Sequence, residues 1–288
     1  MENAINFKGF YFAYPGSEKL VLKDINLEIK KGSFTVLTGP SGAGKTTLCK
    51  AMCGIIPYYY GGKYAGDVEV LGETTKGKRV SDIAMKLGLM LEDYESQLVS
   101  LTCGEEVAFS LLNHGYKPND VDNMVSEALS EVGLKGREDY RLEELSGGQK
   151  QRLLLASLIA IKPEILVLDE PVSAMDPEGS RELYKLIYNL HKKHNITVVV
   201  VEHNINFILP YITDLVVIKE GVKIVNGPLF EAASKVSEDE HLSSMLPTLL
   251  QLKFKLEKEY NVGLKEWRNE EEAFKELETL FEGRIQND

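Results

Sequence analysis

The sequence predicts an α/β protein with a β-rich amino-terminal part, a parallel-sheet core interrupted by a helical insert, and a small helical appendage at the carboxyl end. Three patterns carry that expectation. Period-two apolar alternation opens the chain, a short apolar run passes through glycines into a helical segment near residue 45, and unbroken β-branched runs recur after residue 165.

Taken in order, Ile5 to Tyr14 and Ile25 to Ile29 alternate and are bounded by Pro15-Gly16 and Lys31-Gly32, so they read as antiparallel strands. Phe34 to Thr38 is a short apolar strand that meets a glycine-rich loop and a helix from Lys45 to Cys53. From Leu101 to Ile161 the spacing turns helical, with Val107, Leu111 and Leu112 in one segment and Val121, Val125, Ala128, Leu129 and Val132 in the next. Strand character returns in Ile165 to Leu168, Ile196 to Val201 and Leu215 to Ile218, and a helical stretch from Gly179 to His194 separates the first two. The Thr-Val-Val-Val-Val run starting at Thr197 suits a parallel strand buried on both faces. Near the end, Leu246, Leu249, Leu250 and Leu256, then Phe274, Leu277 and Phe281, fall at helical spacing around a loop at Asn261 to Leu264. Their apolar stripe either packs on the main domain or forms a subunit contact. The expected division is residues 1–240 as the main domain, with a helical subdomain at about 92–162, and 241–288 as an extension and candidate dimerisation element.

Composition narrows the function. In 288 residues, 43% are hydrophobic and 27% charged, enough to build and solvate a core. The balance of 33 basic against 44 acidic side chains gives −11, which disfavours a partner held by phosphate neutralisation, so no nucleic acid is expected. Residues 231–288 hold 14 of the acidic and 8 of the basic groups, more than half of the net charge. The run Leu153 to Ile161 stops after nine residues and contains Ser157, well short of the 18 or more a bilayer span needs. The start, MENAINFKGF, lacks a secretion signal, and three cysteines cannot all pair, so a reducing cytoplasm is expected. Cys49 and Cys53 share a helix face at i, i+4 and read as packing residues; Cys103 sits near a turn and would be reactive only if exposed.

Residues Gly39-Pro40-Ser41-Gly42-Ala43-Gly44-Lys45-Thr46 match G-x-x-x-x-G-K-[ST] at every fixed position, with Thr47 following. Glycines let the backbone curl so that successive N–H groups point at phosphate oxygens, and the following helix offers its positive end to the same anion. Lys45 supplies a mobile charge for the β- and γ-phosphates, and the Thr46 hydroxyl is a hard ligand for Mg²⁺. A nucleoside triphosphate with Mg²⁺ is the expected occupant. A second acidic element, Ile165 to Glu170, ends an apolar strand in two carboxylates; Asp169 is expected in the Mg²⁺ shell and Glu170 beside the attacking water.

Leu145-Ser146-Gly147-Gly148-Gln149 opens a helix and makes another edge of backbone N–H groups plus a hydroxyl. Phosphate loop, helical insert, LSGGQ and an apolar strand ending in Asp-Glu, in that order over residues 4–235, resemble the ATP-binding cassette (ABC) ATPases. The resemblance implies a P-loop NTPase fold with a RecA-like core, and two subunits head to tail, each Ser146 edge closing over the nucleotide on the other's Lys45 edge. It further implies that Tyr14 stacks on adenine, that His203 contacts the γ-phosphate, and that Ser173 to Asp176 forms the loop crossing the interface, with Asp176 as its acidic residue. One position departs: the family's lid glutamine aligns with Glu92, an acceptor-only side chain that adds charge beside Asp169 and Glu170 and is a further candidate metal ligand. Gln97 could replace it only by a five-residue shift of the loop.

Within the family, Glu95 to Thr102, Glu105 to Phe109, Leu145 to Arg152, Val201 to Asn204, Ile56 to Gly62 and the acidic tail from Leu246-Pro247 resemble the energy-coupling factor branch. That likeness implies a peripheral subunit on the cytoplasmic face of the membrane. It would pair with a second ABC ATPase beneath an integral membrane scaffold and a substrate-binding membrane subunit, importing a vitamin or transition-metal ion. A soluble cassette without transport, and a weakly hydrolysing partner in a heterodimer, stand as alternatives.

Overall fold

A computed structural model describes residues 2–173 and 175–285, with backbone alone for 281–285. β1 (Asn3–Ala13) and β2 (Leu22–Lys30) pair antiparallel, and register shifts bend the pair between Phe7 and Phe12. With β4 (Lys63–Val70) and β5 (Glu73–Thr74) they form one antiparallel sheet in the order β2-β1-β4-β5, where β3 (Phe34–Thr38) belongs elsewhere.

The second sheet runs β10-β9-β3-β8-β7-β6, from β6 (Leu87–Met90), β7 (Ile165–Asp169), β8 (Thr197–Val201), β9 (Asp214–Lys219) and β10 (Val222–Pro228). All are parallel except β10, which returns antiparallel on β9. The continuous apolar runs have the expected cause. Val199, Val201, Ile165 and Val167 face one core with α1 (Lys45–Met52) and the antiparallel sheet, whereas Val198, Val200, Leu166 and Leu168 face a second core under the remaining helices. At about 1.5–3 kcal/mol for each fully buried aliphatic, this two-sided burial outweighs the polar cost of the strand tips.

The insert comprises α3 (Cys103–Asn113), α4 (Pro118–Glu131) and α5 (Gly147–Ala160), preceded by the short α2 (Val80–Ala84). Val107, Leu111, Val121, Val125, Ala128 and Leu129 meet in the second core, as the helical spacing predicts. Thr102 and Glu105 make a capping box at the start of α3, and Pro118 occupies the first turn of α4, where its missing N–H costs nothing. Helix α6 (Pro177–His194) starts two residues earlier than the periodicity predicts, because Asp176 caps it and Pro177 is preset for a first turn.

The carboxyl end adds α7 (Leu229–Ser237), α8 (Glu240–Ser243), α9 (Thr248–Tyr260) and α10 (Glu270–Ile285). Leu242, Leu246 and Leu250 bury into the second core, while Leu264, fully buried Trp267 and Ala273 make a small core of their own. Phe274 does not join the stripe the sequence predicts: Ala273 and Leu277 take the inward phase, leaving Phe274 about 100° round the helix and 66% exposed. The Phe281 side chain lies outside the described residues.

Candidate functional site

Five parallel strands end on one edge, where an open α/β sheet binds its ligands. The phosphate loop leaves the tip of β3, Glu92 follows β6, Asp169-Glu170 end β7, and Glu202-His203 follow β8. Topology thus gathers residues more than 150 positions apart.

In the loop, Gly44 caps α1 at φ 101°, and Gly39 at φ 156° passes so close to β9 that a methyl there would overlap the Ile218 carbonyl oxygen. Lys45 is buried, and its Nζ donates to the carbonyls of Gly39 (2.9 Å) and Pro40 (3.2 Å). Burial lowers its pKa, with the charges of Glu170 and Asp169 opposing. Its Nζ also lies 3.2 Å from His203 Nε2, which is itself 3.1 Å from Glu170 Oε1. One ring nitrogen cannot accept from Lys45 and donate to Glu170 at once, so His203 is poised between an amine and a carboxylate. Glu170 holds the left-handed region at φ 52°, its N–H fixed to the Val201 carbonyl at 3.0 Å. A non-glycine residue in that conformation stores strain of the kind found at functional sites.

Asp169 is buried, and among the described residues no donor meets either of its oxygens in hydrogen-bond geometry, although the Thr46 hydroxyl lies nearby. Burial raises its pKa; the Thr46 hydroxyl opposes that rise, and Glu170 and Glu92 add to it by like charge. An orphaned buried carboxylate beside a threonine hydroxyl fits Mg²⁺, which takes few protein ligands and completes its shell with substrate phosphates. No cluster of three or more His, Cys, Asp or Glu suited to a metal occurs among the described residues. Glu92 is exposed yet close enough to act on Asp169. Gln97 cannot take its place. Its amide is spent on the loop, accepting from Leu91 N at 2.7 Å and donating to Leu89 O at 3.0 Å.

Tyr14 stands beside α1, with its hydroxyl 3.1 Å from Thr47 Oγ1 and its ring edge-on to Phe12. At the head of α5, Leu145 is buried and Ser146 exposed; Ser146 Oγ accepts from Gln149 N at 3.4 Å, and Gln149 Oε1 accepts from Ser146 N at 3.1 Å. Gly147 and Gly148 lie against Tyr94 and Met175, leaving no room for larger side chains without a shift. Asp176 is exposed and accepts from Gly179 N at 2.7 Å. Among the described residues no hydrogen bond or ion pair joins Leu145–Gln149 to the phosphate loop, so the structure brings Lys45, Thr46, Asp169, Glu170 and His203 together and leaves the serine edge apart. The cysteines are all buried, and burial raises all three thiols, which removes Cys103 as a reactive group.

Sequence reasoning missed Glu202. It is 5% exposed, accepts a hydrogen bond from the Tyr184 hydroxyl, and burial pushes its pKa up to about 7. An acidic residue closing a run of six β-branched residues, Ile196 to Val201, was the available signal.

Comparison with known proteins agrees with this geometry. A family model described as ABC transporter matches residues 22–173. A chain of Pyrococcus abyssi named as an ABC transporter ATP-binding protein is 37% identical over 256 residues, covering 89% of this chain and 91% of its own. One of Methanosarcina mazei is 37% identical over 248 residues, but this chain spans only 43% of its length. Among solved structures, CbiO1 of Clostridium perfringens, titled as part of the ABC transporter complex CbiONQ, superposes with a TM-score of 0.73 at 26% identity, over 88% of this chain and 99% of that one. The dimeric ATP-binding cassette MJ0796 bound to ADP and Pi gives 0.68 at 25%, over 78% and 98%.

Proposed function

Because this chain belongs to the ABC transporter family and is an ATPase that uses Mg²⁺, we propose that it drives an energy-coupling-factor-type importer of a vitamin or transition-metal ion. The observation that carries this reading is the separation of two phosphate-binding edges: the Lys45 cluster on the sheet edge, and an exposed Ser146 at a helix start that no hydrogen bond or ion pair among the described residues ties to it. Two chains placed head to tail complete two sites.

In such a site the backbone of Gly39 to Thr47 and the Lys45 ammonium cradle the β- and γ-phosphates, and Tyr14 offers a face to adenine. Thr46 and Asp169 hold Mg²⁺, which when bound offsets charge on the β- and γ-oxygens. Glu170 orients the attacking water, His203 contacts the γ-phosphate, and Leu145 to Gln149 with Asp176 reach the partner's nucleotide. Val99, Leu101, Phe109 and Leu112 are each about half exposed or more on and just before α3. A patch of that kind supports docking on a membrane scaffold. No helix among the described residues is long and apolar enough to cross a bilayer, so attachment would run through that scaffold. The CbiO1 neighbour, part of a complex, supports the same architecture. The tail from residue 241 is a candidate dimerisation element.

Co-purification from membranes tests the reading: a second cassette and a multi-span protein are expected, and a chain recovered alone from the soluble fraction contradicts it. A second reading, a weakly hydrolysing member of a heterodimer, is favoured by the Glu92 charge acting on Asp169. Under it Glu92→Gln raises turnover; under the first reading Glu170→Gln abolishes turnover and Glu92→Gln changes it little.

A further inference from the structure

We propose that Glu202 and Tyr184 are a positioning pair that ties the His203 loop to α6, the helix headed by Asp176, so that movement at the subunit interface reaches the γ-phosphate contact. The proposal rests on the nucleotide reading above and goes beyond it.

Strand alternation sets the geometry. Val198 and Val200 face the core that holds Leu183, Tyr184 and Ile187 of α6, and Glu202 is the next residue on that face. His203 then turns the opposite way, toward Lys45. The Tyr184 hydroxyl donates to Glu202 Oε1, and Tyr184 is fully buried eight residues, about two turns, after Asp176. The backbone around Glu202 is clamped as well. Its N–H donates to the Leu37 carbonyl at 3.1 Å, at the root of the phosphate loop, and Glu170 N–H donates to Val201 O at 3.0 Å.

A valine would continue this strand face at no electrostatic cost. A buried acid under the like charge of Glu170 is unfavourable for packing alone, and such costs concentrate at functional sites. Among the described residues, the one side-chain hydrogen-bond partner of the acid is on α6, the helix that follows the interface loop and is capped by its Asp176. Closing that loop therefore pulls on a hydroxyl bonded to the residue next to His203.

The test is binding of AMPPNP and of ADP, each with Mg²⁺, to the full-length chain by displacement of a fluorescent ADP, together with thermal melts. Tyr184→Phe and Glu202→Ala should weaken AMPPNP at least about fivefold while ADP stays within about twofold. Glu202→Gln keeps an oxygen for the Tyr184 hydroxyl and should recover most of the AMPPNP affinity that Glu202→Ala loses. Parallel loss of both ligands with a fall in melting temperature, unchanged AMPPNP binding in both variants, or Glu202→Gln as weak as Glu202→Ala overturns the proposal. Wild-type chain that binds neither nucleotide contradicts the underlying reading and removes this one with it.

Discussion

Replacing Glu202 by Gln should change how stability depends on pH. In the folded chain burial, with like charge from Glu170, pushes this carboxyl from the ordinary 4.5 up to about 7, against the Tyr184 bond and the N–H groups of His203 and Asn204. Between those values the folded state binds more protons than the unfolded state. Stability therefore falls as pH rises through that window, and is level below 4.5 and above 7. At about 1.4 kcal/mol per pH unit the full loss is on the order of 3 kcal/mol, most of which falls between pH 5 and 8. Glutamine abolishes that slope and adds a pH-independent cost of about 1–3 kcal/mol if its buried NH₂ finds no partner. Urea melts of both proteins at pH 5 and 8 separate the two effects, because only the slope varies with pH. The difference between variant and wild type should move about 2 kcal/mol in favour of Glu202→Gln from pH 5 to 8. A movement below about 0.5 kcal/mol would show that Glu202 titrates normally and refute the reasoning.

Two other outcomes depend on the same edge of the sheet. Asp169→Asn removes an unpartnered buried carboxylate whose pKa is raised by burial, so without metal the variant should melt no lower than wild type; it should nevertheless lose at least about tenfold of the ATP affinity that Mg²⁺ adds, measured by titration with and without EDTA. Gly39→Ala forces a methyl into the Ile218 carbonyl at φ 156° and should cost about 2 kcal/mol or more with loss of nucleotide binding, read by melting and fluorescent-nucleotide titration.

The phosphate loop was legible in full, because backbone curvature demands glycines at fixed spacing and the chemistry demands Lys45 and Thr46 in sequence. β7 and β8 were legible for another local reason: two buried faces leave no room for polar residues until the strand tip. β4 was not, since its first four residues are exposed and carry no apolar period, and it is held by pairing with β1, some fifty residues upstream. Trp267 and Glu202 escaped because their partners are settled by tertiary packing: Trp267 Nε1 bonds Glu276 across a helix start, and Glu202 meets Tyr184 eighteen residues back in the chain. Phe274 shows the limit of periodicity, which finds a stripe but does not fix its phase when Ala273 competes for the inward position.

The central claim is that Ser146 serves a nucleotide held by another chain. Light scattering of the Glu170→Gln chain, with its partner cassette if one co-purifies, measures this directly when compared with the same protein carrying Ser146→Arg. The account predicts that Mg-ATP, and not Mg-ADP, doubles the mass, and that Ser146→Arg abolishes the doubling while each separate chain still binds ATP. Loss of ATP binding by the single Ser146→Arg chain, or full occupancy with no gain in mass, would contradict it.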